Sequence, residues 1–352
     1  SSGQVTLTGS IAYQHDEAGA SASRVWGVSV ACLGRCLSPE EGILNDPRMA
    51  FGLDAPAGHT GRRVQRQRHL IQVARAGLSG CLAIGIVLGL GAVLPGVAFL
   101  VLACFLVLAV PTSRHLSRRV LIAGSIFLGW APLMWFWNLS GAIGGRSRLF
   151  TAFIAGGIAA WMSLRGFRTG MRLIALRLRA VDCFLITAGA FVAWQYSPYV
   201  VLKDAKMALA RLLPGWDHSA HFDMAARIRE SGVLTIFAPP PPGGEWRNAN
   251  YPEGYHAAVA SVMELLSGAV HLSRDATIIT YSRAMAIVVV VAIVTALAAL
   301  ASLPVLRKMR YLAFPSLMLL TATLVLGPGG WVVYSGFPNF MVAVCMLATG
   351  IL

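Results

Sequence analysis

Long apolar runs separated by short basic patches are the dominant pattern of this chain. The runs cover residues 76–110, 120–137, 149–164, 181–196, 278–305, 311–326 and 340–352. About 20 apolar residues are enough for a helix to cross a membrane. The first run is long enough for two spans with a turn at residues 94–96, so the pattern predicts eight membrane-spanning helices.

Basic residues mark one side of this predicted bundle. Patches at residues 62–75, 114–119, 165–179 and 307–310 all fall on the same side of the threading. Lys and Arg are enriched in cytoplasmic loops, whereas residues 198–277 carry seven basic and eight acidic side chains. The pattern predicts an all-α fold. It is a polytopic transmembrane helix bundle in the plasma membrane, with one large extracytoplasmic loop containing short helices.

Four regions follow from this threading. Residues 1–70 show no sustained period and are predicted to be a poorly ordered cytoplasmic segment. Residues 71–197 hold five transmembrane helices, and residues 198–277 form the extracytoplasmic loop. Residues 278–352 hold helices six to eight, and we expect the eighth to be truncated because the chain stops inside an apolar run.

The composition agrees with a membrane protein and argues against a nucleic-acid partner. The 352 residues are 56% hydrophobic and 12% charged, with a mean hydropathy of +0.66. The formal charge of +14 is concentrated between apolar runs, as in cytoplasmic flanks, so membrane lipids are the expected partner. The six cysteines suggest no disulfide framework.

The densest group of titratable side chains lies inside the predicted loop. Asp217, His218, His221 and Asp223 occur within seven residues. A helix or a pair of short helices is predicted over residues 209–233, broken at Pro-Gly, with Asp217 in the N-cap region. Helical spacing then places Asp217, His218 and His221 on one face.

A second polar cluster follows at residues 250–256. It contains Tyr251, Glu253 and His256. A Pro-rich stretch at residues 238–244 separates the two clusters and allows the second to fold back towards Asp217. The following residues, 255–270, are predicted to form a short helix that lies at the membrane interface or dips into it.

Four arginines are candidates for binding a phosphate group, and they are Arg227, Arg229, Arg247 and Arg283. Arg283 stands out because it lies inside an apolar run, where a charge is costly unless it pairs or faces a polar cavity. Arg227 and Arg229 could equally bind lipid head groups, and Arg283 could extend to the surface.

Structural interpretations of the two clusters remain open at this point. Asp217 could serve only as a helix cap, and the histidines could be hydrogen-bond partners without a ligand. Tyr251 could belong to a plain turn, and Glu253 could be a solvated loop charge.

The arrangement of the loop resembles the GT-C class of membrane glycosyltransferases, in particular large actinobacterial membrane proteins of that class. The resemblance rests on an Asp followed by His at residues 216–222, a Pro-rich turn, and Tyr-Pro-x-Gly-x-His at residues 251–256. In topology it covers about residues 165–352. It implies a polyprenyl-phosphate sugar donor, transfer outside the cytoplasm and an acidic base, which falls at Asp217.

Transfer of a sugar to a hydroxyl needs a base for the acceptor proton and cations near the leaving phosphate. The predicted catalytic residues are Asp217, His218 and His221, and the predicted substrate-binding residues are Arg227, Arg229, Arg247, Tyr251, Glu253, His256 and Arg283. The expected acceptor is a glycan of the cell envelope.

Three other functions fit the same residues. The side chains of Asp217, His218, His221 and His256 are types that zinc accepts, so a divalent metal is the cofactor that the loop could hold. A membrane transporter and a non-enzymatic envelope scaffold are the remaining alternatives.

Overall fold

A computed structural model describes residues 59–93, 115–137, 146–169, 178–238, 242, 244, 251–267 and 271–352. Within these ranges the chain is helical and forms no β-strand, which confirms the predicted all-α class. The N-terminal residues 1–58, the predicted second span and Arg247 lie outside the described residues.

The helices of these ranges are numbered in chain order. They are α1 His59–Val93, α2 Leu116–Trp137, α3 Arg146–Thr169, α4 Ala180–Val200, α5 Ala205–Leu212, α6 His218–Ser231, α7 Gly254–Ser267, α8 Arg274–Ser302, α9 Pro304–Lys308, α10 Arg310–Val325, α11 Pro328–Tyr334 and α12 Pro338–Ile351. A short 3₁₀ turn, Thr235–Phe237, follows α6.

Several of these helices are long and apolar enough to cross a membrane, as expected for a membrane protein. Three segments of the described chain meet that requirement, namely Arg66–Gly89, Arg274–Ser302 and Tyr311–Tyr334. A fourth is present if Ala180–Val200 and Ala205–Leu212, which meet at an angle of 119°, count as one broken span. Ala152–Trp161 and Pro338–Ile351 are shorter apolar helices.

Helix α8 is the centre of the bundle. It packs against α2, α4, α7, α10 and α12, and most of its side chains between Thr277 and Ala301 are buried. Its interior is rich in Val and Ala, whose small and branched side chains let neighbouring helices approach closely without polar atoms to satisfy. These neighbouring helices are arranged around the apolar helix α8.

Helix α7 lies inside the bundle rather than on its surface. Every residue from Tyr255 to Leu265 is buried, and the helix packs on α2, α6 and α8. The helix predicted over residues 255–270 is therefore present as Gly254–Ser267. Its predicted place at the membrane interface, or dipping into it, stays a prediction.

Two predicted boundaries are wrong. Residues 59–70, predicted to be poorly ordered, are the first turns of α1, because no Gly or Pro interrupts residues 62–76. Residues 327–339, which fall between two predicted spans, contain α11, which starts with Pro at its first helical position. The short helix between two turns brings residues 335–339 to the site described below.

One buried carboxylate links the starts of α2 and α4. Asp182 accepts a hydrogen bond from the backbone N–H of Ser117 through Oδ1 (2.9 Å) and one from the backbone N–H of Arg179 through Oδ2 (2.9 Å). Its side chain is fully buried. The two helices therefore begin at the same end of the bundle, and a single side chain satisfies an N-terminal donor of each.

Replacing Asp182 with Ala should lower the free energy of unfolding by about 3 kcal/mol, because one buried and one part-buried N–H donor lose their acceptor. Asp182→Asn should cost less, since one acceptor oxygen remains. Thermal unfolding of the purified protein in detergent measures both. Asp275→Ala, which removes an exposed acidic residue in the first turn of α8, is the matched control. Equal stability of Asp182→Ala and the wild type would contradict this dual role.

Candidate functional site

Asp217 occupies the N-cap position of α6 but does not cap the helix. The chain breaks after α5 at Pro214 and Gly215, and α6 begins at His218, as the sequence predicted. The Asp217 side chain makes no capping hydrogen bond and is 39% exposed. Its Oδ2 instead lies 3.7 Å from Nε2 of His221, one turn along the helix. The carboxylate is thus placed at a protein surface beside a buried imidazole.

His221 connects the two polar clusters. Its ring is fully buried, and its Nδ1 lies 2.7 Å from Nε2 of His256 at the start of α7. The rings of Tyr251 and Tyr255 meet the same imidazole edge-on, with centroids 6.1 and 5.7 Å away. The prediction that the second cluster folds back towards Asp217 is therefore confirmed, with His221 as the link.

The two helices that carry these histidines run in parallel. His221 meets His256 near the first residues of α6 and α7, and Arg229 donates to the Ser267 hydroxyl (3.2 Å) near their last residues. Both helices therefore direct their N-terminal ends at the site. The partial positive charge at those ends favours a carboxylate such as Asp217 over a second cation there.

Burial keeps both linked histidines neutral near pH 7. Burial lowers the pKa of His256 to about 3, and neighbouring His221 contributes to the same shift. Burial also lowers the pKa of His221, while Asp217 and Asn339 oppose that shift because both favour the protonated ring. Of the two rings, His221 is the one with a carboxylate beside it that opposes the shift.

His218 is buried beside the turn between α11 and α12. Only 2% of the residue is exposed, and burial lowers its pKa to about 4. The Val333 backbone and Asp217 act in the opposite direction without reversing the shift. The predicted shared face therefore brings His218 and His221 near Asp217, but only His221 lies within 4 Å of its carboxylate.

Glu253 is a buried structural carboxylate rather than a solvated loop charge. Its Oε1 accepts a hydrogen bond from the backbone N–H of Thr235 (3.0 Å), and the residue is 8% exposed. This bond ties the start of α7 to the 3₁₀ turn that follows α6. Glu253 therefore fixes how the second cluster meets the first, and its predicted contact with substrate stays a prediction.

Three of the predicted phosphate-binding arginines bind other parts of the protein. Arg227 pairs with Asp223 one turn earlier on α6, and Arg229 contacts Ser267. Helix geometry puts these two about 15 and 18 Å from Asp217 along the axis of α6. Burial lowers the pKa of Arg229, while nearby Glu264 favours its charge.

Arg283 stabilises the bend between α4 and α5. It donates from Nε to the Val200 carbonyl (3.0 Å) and from Nη2 to the Leu202 carbonyl (3.2 Å). Ser282 donates to the neighbouring Tyr199 carbonyl (3.0 Å). The last carbonyls of a helix carry partial negative charge, so a guanidinium is favourable there. This explains how an arginine is accommodated in an apolar helix.

Residues 335–339, which lie between two predicted spans, complete the site. The Trp216 N–H donates to the Ser335 carbonyl (2.9 Å), and the Asn339 amide donates to the Tyr251 hydroxyl (2.8 Å). The signal for these contacts in the sequence is weak, because they join positions more than 80 residues apart. Only the Gly-Phe-Pro-Asn stretch itself indicated a turn before a helix.

Two glycines allow the turn between α11 and α12 to touch the Asp217 loop. Gly336 has a φ of 98°, in the region that favours glycine, and a Cβ there would lie 2.7 Å from the Asp217 nitrogen. A Cβ on Gly215 would lie 2.8 Å from the Gly336 nitrogen. The two backbones therefore pack directly on each other and hold Asp217 in place.

The predicted metal-ligand set is not arranged as a metal site. Among the described residues, no group of three or more His, Cys, Asp or Glu side chains is placed to hold a metal ion. The physical reason is that His221 and His256 direct ring nitrogens at each other in a hydrogen bond rather than at a common point.

Comparison of the chain with protein-family models, with curated proteins and with solved structures gives no match.

Gly336→Ala should lower the free energy of unfolding by about 2 kcal/mol, because it adds both backbone strain and a clash with the Asp217 nitrogen. Gly157→Ala is the matched control, since a Cβ at that helical position meets nothing within 4 Å. Thermal unfolding of the two variants in the same detergent makes the comparison. A Gly336 variant as stable as the Gly157 variant would show that the two loops do not depend on this contact.

Proposed function

We propose that this protein is a membrane glycosyltransferase of the GT-C type. It transfers a sugar from a polyprenyl-phosphate donor to a hydroxyl of a cell-envelope glycan at the outer face of the plasma membrane. The observation that carries the proposal is the state of Asp217. It is a half-exposed carboxylate at a helix start that caps nothing and lies beside a buried neutral imidazole.

The reaction needs one proton acceptor at the surface of the site. The acceptor hydroxyl oxygen attacks the anomeric carbon, the bond from that carbon to the phosphate oxygen breaks, and the lipid phosphate leaves with the bonding electrons. The hydroxyl proton passes to Oδ2 of Asp217. A positioned carboxylate of this kind contributes typically about 10² to 10⁴-fold in rate.

His221 supports Asp217 in this role. With a pKa lowered by burial, its ring is neutral near pH 7 and leaves the Asp217 carboxylate without a permanent counter-ion. When Asp217 receives a proton, Nε2 of His221 is the nearest basic nitrogen, at 3.7 Å. The pair can therefore take up the proton and release it after the lipid phosphate has left.

Exposed aromatic side chains support a position of the site at the membrane interface. Trp216, adjacent to Asp217, is 88% exposed, and Trp331 on α11 is 68% exposed. Trp and Tyr concentrate at the boundary between lipid and water. A lipid-linked donor would reach a site at this depth from the bilayer, whereas a glycan acceptor would reach it from water.

Asp217→Asn should lower sugar transfer by at least about a hundredfold, because Asn keeps the size of the side chain but removes the base. The matched control is Asp204→Asn. Asp204 sits at the N-cap of α5 and does cap it, accepting from the Met207 N–H (2.8 Å), which Asn can also do. The assay measures transfer of labelled sugar from a polyprenyl-phosphate donor in membranes with matched expression. Wild-type turnover in Asp217→Asn would reject Asp217 as the base.

The topology of the bundle provides a separate test. The placement of the basic patches requires residues near Arg172 to be cytoplasmic and residues near Asn248 to be outside. Single cysteines at positions 172 and 248 should therefore react differently with a membrane-impermeant reagent in intact cells, with labelling at 248 only. Labelling at 172 with protection at 248 would place the site on the wrong face for this donor.

A further inference from the structure

Asn339, in the first turn of α12, reaches the site from the far end of the chain. Its Nδ2 donates to the Tyr251 hydroxyl (2.8 Å), and Tyr251 in turn lies edge-on to His221 with ring centroids 6.1 Å apart. Because an amide carries its donor and its acceptor on opposite sides of one carbon, this bond also fixes where Oδ1 of Asn339 points.

Oδ1 of Asn339 and Nε2 of His221 are both buried, and neither has a hydrogen-bond partner of good geometry. The side chain of Asn339 nevertheless favours the protonated form of His221. Because Nδ1 of His221 is engaged with His256, Nε2 is the ring nitrogen left to meet this amide oxygen, and it also faces Asp217. A proton on Nε2 would be attracted by both acceptors, the Asp217 carboxylate and the Asn339 amide oxygen.

The frame that holds Asn339 also holds Asp217. The Trp216–Ser335 backbone hydrogen bond and the direct packing of Gly336 on the Asp217 backbone join the two loops. Asn339 lies only three residues after Gly336, in the first turn of α12. The two acceptors that flank His221 are thus fixed relative to each other, although about 120 residues separate them.

We propose that Asn339 is a positioning residue that orients the His221 ring and stabilises it as an imidazolium between Asp217 and the amide oxygen. In the proposed transfer reaction, on which this role rests, the acceptor proton moves from Asp217 to Nε2 of His221 and stays there until the lipid phosphate has left. No oxidant, metal or further reactant is needed for this step.

The hydrogen bond between the histidines determines which nitrogen is available. Nε2 of His256 is engaged with Nδ1 of His221. In the proposed step His256 accepts through Nε2, and His221 donates through Nδ1. This leaves Nε2 of His221 free of a proton in the resting state and open to receive one.

The charged and titratable groups around His221 come from three directions. Asp217 and His218 approach from α6, His256 and Tyr255 from α7, and Tyr251 from the turn before α7. Burial keeps His218 and His256 neutral, and burial raises the pKa of Tyr255 well above its usual range. Asp217 is therefore the neighbour whose charge changes in the proposed step, and Asn339 supplies the neutral acceptor.

The test measures the titration of His221 directly in the full chain. Histidine labelled at Cε1 with ¹³C is followed by NMR against pH in lipid nanodiscs, and His221→Gln assigns the signal. Three variants are compared. Asn339→Leu removes the acceptor oxygen. Asn339→Asp replaces the amide with a negatively charged side chain of the same size. Tyr251→Phe removes the hydroxyl that holds the Asn339 amide in place. Thr323→Val, at an exposed hydroxyl on α10, is the control for handling.

The His221 midpoint should move to lower pH in Asn339→Leu and to higher pH in Asn339→Asp. Tyr251→Phe should shift it in the same direction as Asn339→Leu but less. An unchanged midpoint of the His221 titration in a folded Asn339→Asp protein would overturn the proposal. This holds even if Asn339→Leu fails to fold. A purely structural role would lower thermal stability and leave the titration in place.

Failure of the proposed function can be distinguished from failure of the proposed role of Asn339. If the chain transfers no sugar, the titration shifts remain measurable, because they require no donor or acceptor. If sugar transfer is confirmed but Asn339→Asp leaves both the His221 titration and the pH profile of transfer unchanged, only the role of Asn339 is rejected.

Discussion

A single hydrogen bond between two fully buried imidazoles joins the polar parts of this protein. Nδ1 of His221 and Nε2 of His256 can share only one proton, so the bond exists only while at least one of the facing nitrogens keeps its lone pair. Burial enforces this condition by disfavouring the charged form of either ring. The bond ties α6 to α7, and α7 in turn packs inside the bundle against α8. The position of Asp217 relative to the membrane helices therefore depends on the two rings not being protonated at the same time.

The charged side chains of the candidate site differ in whether they stabilise the fold. Arginines that the sequence offers for a phosphate are used to hold helices: Arg229 reaches across to Ser267, and Arg283 binds the end of α4. Asp217 is the opposite case, since it sits where a cap belongs but leaves that position unused. Polar side chains that are costly in an apolar setting are normally satisfied by the protein. Asp217 holds no helix in this way, and it is the group we assign to chemistry.

The sequence predicted those features that depend on local spacing. The break at Pro214-Gly215, the N-cap position of Asp217 and its i, i+4 relation to His221 all follow from turn residues and helical periodicity. The return of the second cluster to the first was also predictable, because the Pro-rich stretch between them can reverse the chain. The helical class followed from the apolar runs alone.

What the sequence did not predict depends on contacts between distant positions. No sequence feature close to Asn339 indicates that its amide donates to Tyr251. No sequence feature close to Arg283 indicates that it binds a carbonyl at the end of another helix. The burial of α7 on every side was equally unpredictable. A helical period of apolar positions indicates a helix with one exposed face, whereas a helix buried on all sides lacks that period. The short helix α11 was not predicted, because seven residues are too few to show a helical period of apolar positions.

The contact between Gly215 and Gly336 has a consequence for how the protein is made. The two residues are 121 positions apart, so at about 5–20 residues per second the ribosome needs roughly 6–24 s to supply the second after the first. During that interval α6 and α7 have emerged, but the turn that packs against Asp217 has not. The polar site is therefore completed late in biosynthesis, from segments that are synthesised at separate times. Until α11 and α12 have been made, His218 and His221 of the nascent chain lack the contacts with Val333 and Asn339 that help to enclose them.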